Sequence, residues 1–152
     1  MRMDSIRSIL LAEDNQMDVE LTLEALGQHI FANDVVVVGD GAEALDYLRR
    51  NGKYADRQEG NPAVILLDLK MPKVDGLKVL KEIKGDVSLR TIPVVVLTSS
   101  REETDLVKSY QLGVNAYVVK PVDFHDFVEA VSKLGVFWAI VNEPPPARVN
   151  AG

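Results

Sequence analysis

The chain contains no cysteine. Disulfide scaffolds, thiolate metal sites and cysteine nucleophiles are therefore excluded. Its two histidines, His29 and His125, are too few for a histidine-rich zinc centre. No apolar run approaches the ~20 residues of a membrane-spanning helix. The longest dense stretch near the C-terminus is only Val136 to Val141. The N-terminal region carries Asp4, and its apolar run Ile9 to Ala12 stops at Glu13-Asp14, which is not the pattern of a secretory leader. Positive charge is also short: 17 Lys plus Arg stand against 23 Asp plus Glu, a net charge of −6. A protein that grips nucleic-acid phosphates without regard to sequence normally has the opposite sign. Neither a GxGxxG nor a GK[ST] motif is present, which removes the common nucleotide-binding readings. What is there is ordinary for a globular domain. Of 152 residues 47% are hydrophobic, with 10 Gly and 7 Pro, so collagen-like and wholly disordered chains are excluded. The length suits one domain. A soluble, cytoplasmic domain that binds neither nucleic acid nor membrane is the expectation.

Five short runs rich in Val, Ile and Leu stand out: Ser8 to Ala12, Val35 to Gly39, Ala63 to Leu67, Ile92 to Leu97 and Ala116 to Val119. Three are apolar almost without interruption, as strands buried on both faces of a parallel sheet must be. Between them the spacing turns helical. Val19, Leu23, Leu26 and Ile30 form one stripe of a helix near residues 16–28. Ala44, Leu45 and Leu48 do the same for 41–50, and Leu77, Leu80 and Ile83 for 76–84. Leu106, Val107 and Tyr110 mark a fourth helix, which Gly113 is expected to close as a C-cap. Phe127, Val128, Val131 and Leu134 mark a fifth. A strand-helix unit repeated five times predicts an α/β fold of (βα)5 type, a doubly wound five-stranded parallel sheet. Residues 51–62 are polar and glycine-containing, and read as a long surface loop. Pro144-Pro145-Pro146 cannot continue a helix. The chain is accordingly expected to form a single domain over 1–142, with its core at about 6–135 and a last helix extended to about 142. Residues 143–152 are expected to be a proline-rich tail.

Ligands of an open parallel sheet bind beyond the carboxyl ends of its strands. Glu13 and Asp14 follow the first strand, and Asp68 ends the third. Three carboxylates converging there repel one another unless a cation intervenes. A hard, oxygen-seeking ion such as Mg²⁺ would relieve that. The fourth strand ends in Thr98-Ser99-Ser100, offering hydroxyls, and the fifth in Lys120-Pro121, offering an ammonium to pair with phosphate. Asp68 then has the company of a phosphoryl acceptor, because metal and lysine would neutralise the charge on the moving group. Taken singly, each residue has a plainer role. An Asp after a strand is usually a turn or cap residue, Thr98 could be an ordinary strand end and Lys120 a surface lysine. Tyr117 alone is an ordinary half-buried sheet aromatic. Only their arrangement, at corresponding ends of four strands, favours the chemistry.

The segments Ile9-Leu10-Leu11-Ala12-Glu13-Asp14-Asn15, Leu66 to Gly76, Pro93 to Ser99 and Lys120-Pro121 together resemble the receiver domain of two-component response regulators. Gly113 to Tyr117 is similar to that family's approach to its fifth strand. The resemblance covers roughly residues 6–135. It implies the flavodoxin-like receiver fold, with Asp68 accepting phosphate from a sensor histidine kinase. It further implies Mg²⁺ bound by Asp14, Asp68 and the backbone carbonyl of Lys70, with Glu13 acting through water. Thr98 and Lys120 would contact the phosphoryl group, and the Lys120–Pro121 bond would be cis. When Thr98 moves toward the phosphoryl, Tyr117 would turn inward, biasing a surface made by the fourth helix, fifth strand and fifth helix. Beyond phosphoacceptor chemistry of this kind, the resemblance implies no enzyme. Two departures bear on phosphoryl lifetime. The acid pair is Glu-Asp rather than Asp-Asp, and Lys70 is a long cation two residues past the acceptor.

The polar loop at 51–62, Lys120 to Phe124 and the extended Phe137-Trp138 end look like the phytochrome-associated single-domain regulators, which makes a phytochrome the candidate kinase. Val136 to Val141 is apolar around the whole helix, and such a helix needs burial on several sides or a partner. A homodimer or partner surface including Tyr110, Tyr117, Phe137 and Trp138 is therefore expected. Two other functions compete. An Mg²⁺-dependent phosphatase with an aspartate nucleophile resembling the haloacid dehalogenase family would carry a second Asp where Lys70 stands. A receiver-like interaction module indifferent to phosphorylation would lack a site residue, yet Asp14, Asp68, Thr98 and Lys120 are all present.

Overall fold

A computed structural model describes residues 8–27, 35–58, 60–71, 73–114 and 116–135. Five strands, β1 (Ile9–Ala12), β2 (Val35–Val38), β3 (Val64–Asp68), β4 (Val94–Thr98) and β5 (Ala116–Val119), alternate with five helices. The helices are α1 (Gln16–Leu26), α2 (Gly41–Arg49), α3 (Gly76–Lys84), α4 (Arg101–Ser109) and α5 (Phe124–Lys133). All strand pairs are parallel and the sheet order is β2-β1-β3-β4-β5, the flavodoxin-like order. The expected (βα)5 sheet is what forms. Among the described residues no helix is long and apolar enough to cross a membrane.

The two-residue period of a strand explains why the sheet needs helices on both sides. Ile9, Leu11, Leu66, Val95, Leu97 and Val118 face one way, against Val19 and Leu26 of α1 and Phe127 and Val131 of α5. Leu10, Ala12, Ile65, Leu67, Val94 and Val96 face the other, against Leu48 of α2, Val79, Leu80 and Ile83 of α3, and Val107 of α4. Each helix begins on a side-chain cap. Asn15, Asp40, Asp75, Ser100 and Asp123 accept from the backbone N–H three residues on, at 2.8–3.2 Å. Such a cap satisfies donors that the first helical turn leaves free. It also turns the chain sharply from strand to helix, so five caps line the carboxyl edge of the sheet.

Three expectations need correction. β3 and β4 start one and two residues later than the apolar runs at Ala63 and Ile92 and stop one residue later, with Asp68 and Thr98 as the last residues of their strands. α4 stops at Ser109 and its cap position is Tyr110; Gly113 lies past it with φ of 81°, in a turn that also holds Gln111 at 52°. Of the three residues that marked this helix only Val107 is buried, with Leu106 and Tyr110 51% and 45% exposed. Val107 is the one fully buried residue of α4, and Leu106 and Tyr110 face outward. The segment 51–62 is also more than a polar loop. A 3₁₀ turn, Gly52–Tyr54, lays Tyr54 edge-on against Tyr47 of α2, with ring centroids 5.0 Å apart. The guanidinium of Arg57 sits 4.0 Å from the Tyr47 ring centroid and donates to the carbonyls of Tyr47 and Gly60. The Tyr54 hydroxyl donates to Glu43 at 2.6 Å. Burial would raise the Glu43 carboxyl, but this bond and the Gly39 N–H hold it below its usual range. α1 is described to Gly27, so the end of its expected stripe at Ile30 lies outside the described residues, as do His29, Phe137, Trp138 and the proline-rich tail.

Candidate functional site

Burial of β1 and β3 in the middle of the sheet decides where their acids go. Register pairs Ala12 with Leu67, so Glu13 and Asp68 emerge side by side at the carboxyl edge. Both are nearly buried, at 2% and 3% exposure, whereas Asp14 is exposed. One carboxylate oxygen from each of Glu13, Asp14 and Asp68 lies within 4.8 Å of the others. The backbone N–H of Glu13 extends the ladder to Val38 at 3.0 Å, and its Oε2 accepts from the Asn15 N–H at 3.3 Å. This Glu is thereby held by backbone on both sides.

Lys120 closes the site from β5. Its peptide N–H donates to the Thr98 carbonyl at 2.8 Å, and the Lys120–Pro121 bond is cis, as the resemblance implies. Its ammonium lies 3.3 Å from Glu13 Oε1, 3.1 Å from Asp68 Oδ1 and 3.0 Å from Asp18 Oδ2. Burial alone would lower the Lys120 pKa; its bonds to Asp18 and Asp68 outweigh burial and hold it above the usual lysine range. The Glu13 carboxyl is pushed up to about 7, first by burial and then by the charge of Asp68, against the pull of Lys120. Asp68 is raised as well, by burial, with Lys120 opposing. Two acids that resist ionisation beside a third, with oxygen donors only, are the donor set of a hard divalent cation such as Mg²⁺. The residues fit the ion that the sequence implied.

Thr98 and Tyr117, for which the resemblance implies a switch, stand in defined positions. Thr98 is fully buried, and its hydroxyl shares a 3.1 Å hydrogen bond with Thr104 on α4, which is itself bonded to the Ser100 carbonyl. Tyr117 is half-buried; its hydroxyl donates to the Val114 carbonyl at 3.2 Å and Lys108 sits 5.4 Å from its ring centroid. It lines a groove of about 560 Å³ with Arg101, Lys108 and Lys133. Tyr110 lies beneath Lys81 of α3, 4.4 Å from its ring centroid to the ammonium. The exposed Lys70 side chain pairs with Glu103 Oε2 at 3.1 Å, while Glu103 Oε1 accepts from the Ser99 N–H at 2.7 Å. That ties the chain after Asp68 to the start of α4. Gly76 is required where it stands: a Cβ there would run into the Asp68 carbonyl and the Leu69 Cα. Asp18, Glu103 and Thr104 did not emerge from the sequence. Asp18 had one signal, its place as an acid in the first turn of α1.

A profile of the response regulator receiver domain matches residues 9–132. Response regulator Rcp1 of Synechocystis is 40% identical over 130 residues, covering 86% of this chain and 87% of that protein. Its solved Mn²⁺-bound form is 38% identical with a TM-score of 0.67, covering 93% of this chain and 99% of the other. The bacteriophytochrome response regulator AtBRR is 63% identical with a TM-score of 0.86, covering 92% of this chain and all of the other. The phosphorylated cyanobacterial phytochrome response regulator RcpA is 42% identical with a TM-score of 0.70, covering 91% and 99%. With the strand order, the acid cluster and Lys120 in place, this chain belongs to the response regulator receiver domain family, and its relatives include phytochrome response regulators.

Proposed function

We propose that the protein is a phospho-switch in which Asp68 takes a phosphoryl group from the phosphohistidine of a sensor histidine kinase. One observation carries this reading. Asp68 is a buried carboxylate at the end of the central strand, paired with the Lys120 ammonium and within cation-sharing reach of Glu13 and Asp14. In the transfer, an Asp68 oxygen forms a bond to phosphorus as the P–N bond to the kinase imidazole breaks. The electron pair of that bond returns to the ring nitrogen. Asp14, Asp68 and the Lys70 carbonyl would hold Mg²⁺, with Glu13 acting through water; when bound, the ion neutralises charge on the phosphoryl oxygens. Lys120 would balance the same charge with its ammonium. Thr98 leaves Thr104 for a phosphoryl oxygen, Tyr117 turns into the space released, and the α4–β5–α5 groove changes shape.

Phytochrome response regulators among the relatives support a phytochrome as the upstream kinase. The working compartment is the cytoplasm in this reading. The partner surface comprises Tyr117 and its groove with Tyr110, Phe137 and Trp138, and it forms a homodimer. Sedimentation of Trp138→Ala beside the wild type checks this: a wild type that stays monomeric at high concentration, or an unchanged dimer in the variant, removes it. The phosphatase reading is weaker, because the position its second acid would occupy carries Lys70, an exposed cation paired with Glu103. Intact mass after incubation with Mg²⁺ and acetyl phosphate distinguishes the functions. A single acid-labile phosphate adduct, absent from Asp68→Asn, is expected. No adduct with any small donor refutes the switch, and turnover of many phosphomonoesters indicates the phosphatase.

A further inference from the structure

The ammonium of Lys120 has three N–H donors and three carboxylate partners, Glu13, Asp18 and Asp68. Two of those carboxylates belong to the acid cluster. The third, Asp18, does not: it comes from the first turn of α1 and lies outside the group whose oxygens can share a cation. If Asp68 is the phosphoacceptor, on which this inference rests, a phosphoryl oxygen that reaches Lys120 must take the place of a carboxylate already bonded there. Glu13 is a poor candidate to leave, being buried and tied to the Asn15 N–H. Asp68 carries the phosphoryl group itself. Asp18 is 29% exposed, so its carboxylate can turn to water at small cost. Its backbone cannot move with it, because the Asn15 cap holds the Asp18 N–H at 2.9 Å.

The geometry points to Asp18 as the resident counter-ion of Lys120 in the unphosphorylated protein, a positioning residue that the incoming phosphoryl group displaces. Asp18 holds the ammonium over Asp68 before transfer and competes with the phosphoryl oxygens after it. Affinity for the phosphoryl group, and the lifetime of the aspartyl phosphate, are therefore set partly by a residue that touches neither metal nor phosphorus. An ordinary role is also open to Asp18, since an acid in the first turn of a helix favours the helix dipole whatever its side chain touches. The two roles differ in what they change: helix stability in one, occupancy of Lys120 in the other.

Beryllofluoride, a mimic of the phosphoryl group on aspartate, is the probe. It is titrated at saturating Mg²⁺ into the full chain, following tyrosine and tryptophan fluorescence. Removing the competitor in Asp18→Asn should tighten half-saturation about fivefold, the weight of a part-exposed ion pair. Decay of the acetyl-phosphate adduct should slow in step. Asp18→Glu, which keeps a carboxylate within reach of Lys120, should return both values to those of the wild type. Glu20→Gln removes the same charge from an exposed site on the same helix and should change neither. Unchanged or weaker binding in Asp18→Asn, or an equal effect from Glu20→Gln, overturns the inference alone. A wild type that takes up no beryllofluoride and forms no phosphate adduct overturns the phosphoacceptor reading, and this inference with it.

Discussion

Replacing Glu13 by Gln should make the metal-free protein more stable at pH 8 and flatten its dependence on pH. The Glu13 carboxyl moves from an ordinary 4.5 to about 7 on folding, driven by burial and by Asp68. The folded state thus holds this proton more tightly than the unfolded chain does. Between pH 4.5 and 7 it binds more protons than the unfolded state, so stability falls as pH rises through that window. At ~1.4 kcal/mol per pH unit, the full effect is about 3 kcal/mol. That is a large part of the ~5–15 kcal/mol that holds a domain folded. For a chain of this length it corresponds to about 6–12 °C in Tm. Gln keeps the oxygen that accepts from Lys120 and needs no proton. Thermal unfolding in EDTA from pH 5 to 8 is the assay. Wild type should lose stability across the range and regain it on adding Mg²⁺ at pH 8, since the ion replaces the missing proton. Glu13→Gln should show a shallower slope, leaving the part due to Asp68, which is raised in the same direction, and a smaller gain with Mg²⁺. A wild-type Tm flat over this range, or an equal slope in the variant, would refute the reasoning.

Three further outcomes follow from the same geometry. Lys120→Met leaves Glu13, Asp18 and Asp68 without their cation and should cost about 3 kcal/mol in urea unfolding at pH 8 without metal. The loss should shrink at pH 5.5, where Glu13 takes up a proton, and phosphorylation of this variant should no longer alter the Tyr117 environment. Gly76→Ala drives a Cβ into the Asp68 carbonyl, so a loss of about 3 kcal/mol or more should come with weakened Mg²⁺ binding, read by the same unfolding and by metal titration. Thr104→Val removes the hydroxyl on which Thr98 is parked, at a cost of about 1 kcal/mol in the unphosphorylated protein. It should raise the fraction of inward Tyr117, seen as a shift in its ring signals by NMR; ring signals identical to those of the wild type would show that the Thr98–Thr104 bond does not gate the movement.

Much of the fold could be read from the chain because each strand buries two faces and each helix one. The unbroken runs at Ile9, Val64 and Val94 and the stripes at Leu48, Leu80 and Val131 are direct imprints of those environments. The site was legible for a related reason: a parallel sheet brings the residues that end its strands to one edge, so Glu13, Asp14, Asp68, Thr98 and Lys120 could be grouped without coordinates. Asp18 could not, because its partner lies 102 residues away and its own position is one that a helix start favours anyway. Thr104 and Glu103 act through contacts to Thr98 and Lys70 that leave no periodic trace. In α4, the stripe misled because a helix that fully buries only Val107 can keep Leu106 and Tyr110 for the surface. The 51–62 segment looked like a plain loop because its order rests on Tyr54 and Arg57 meeting Tyr47, and on the Tyr54 bond to Glu43, rather than on local propensity.

The central claim, that Asp68 carries the phosphoryl group, is open to one direct chemical measurement. Borohydride reduces an acyl phosphate to an alcohol, which converts a phosphorylated aspartate to homoserine. The protein is phosphorylated with acetyl phosphate and Mg²⁺, reduced and digested, and the peptide spanning Leu66 to Lys70 is sequenced by mass spectrometry. Homoserine at position 68, and at no other acid, is the predicted result. Homoserine at Asp14 instead, or 5-hydroxynorvaline (the five-carbon alcohol that a reduced glutamyl phosphate gives) at Glu13, or an unmodified Asp68 in protein that carries the phosphate mass, would contradict it.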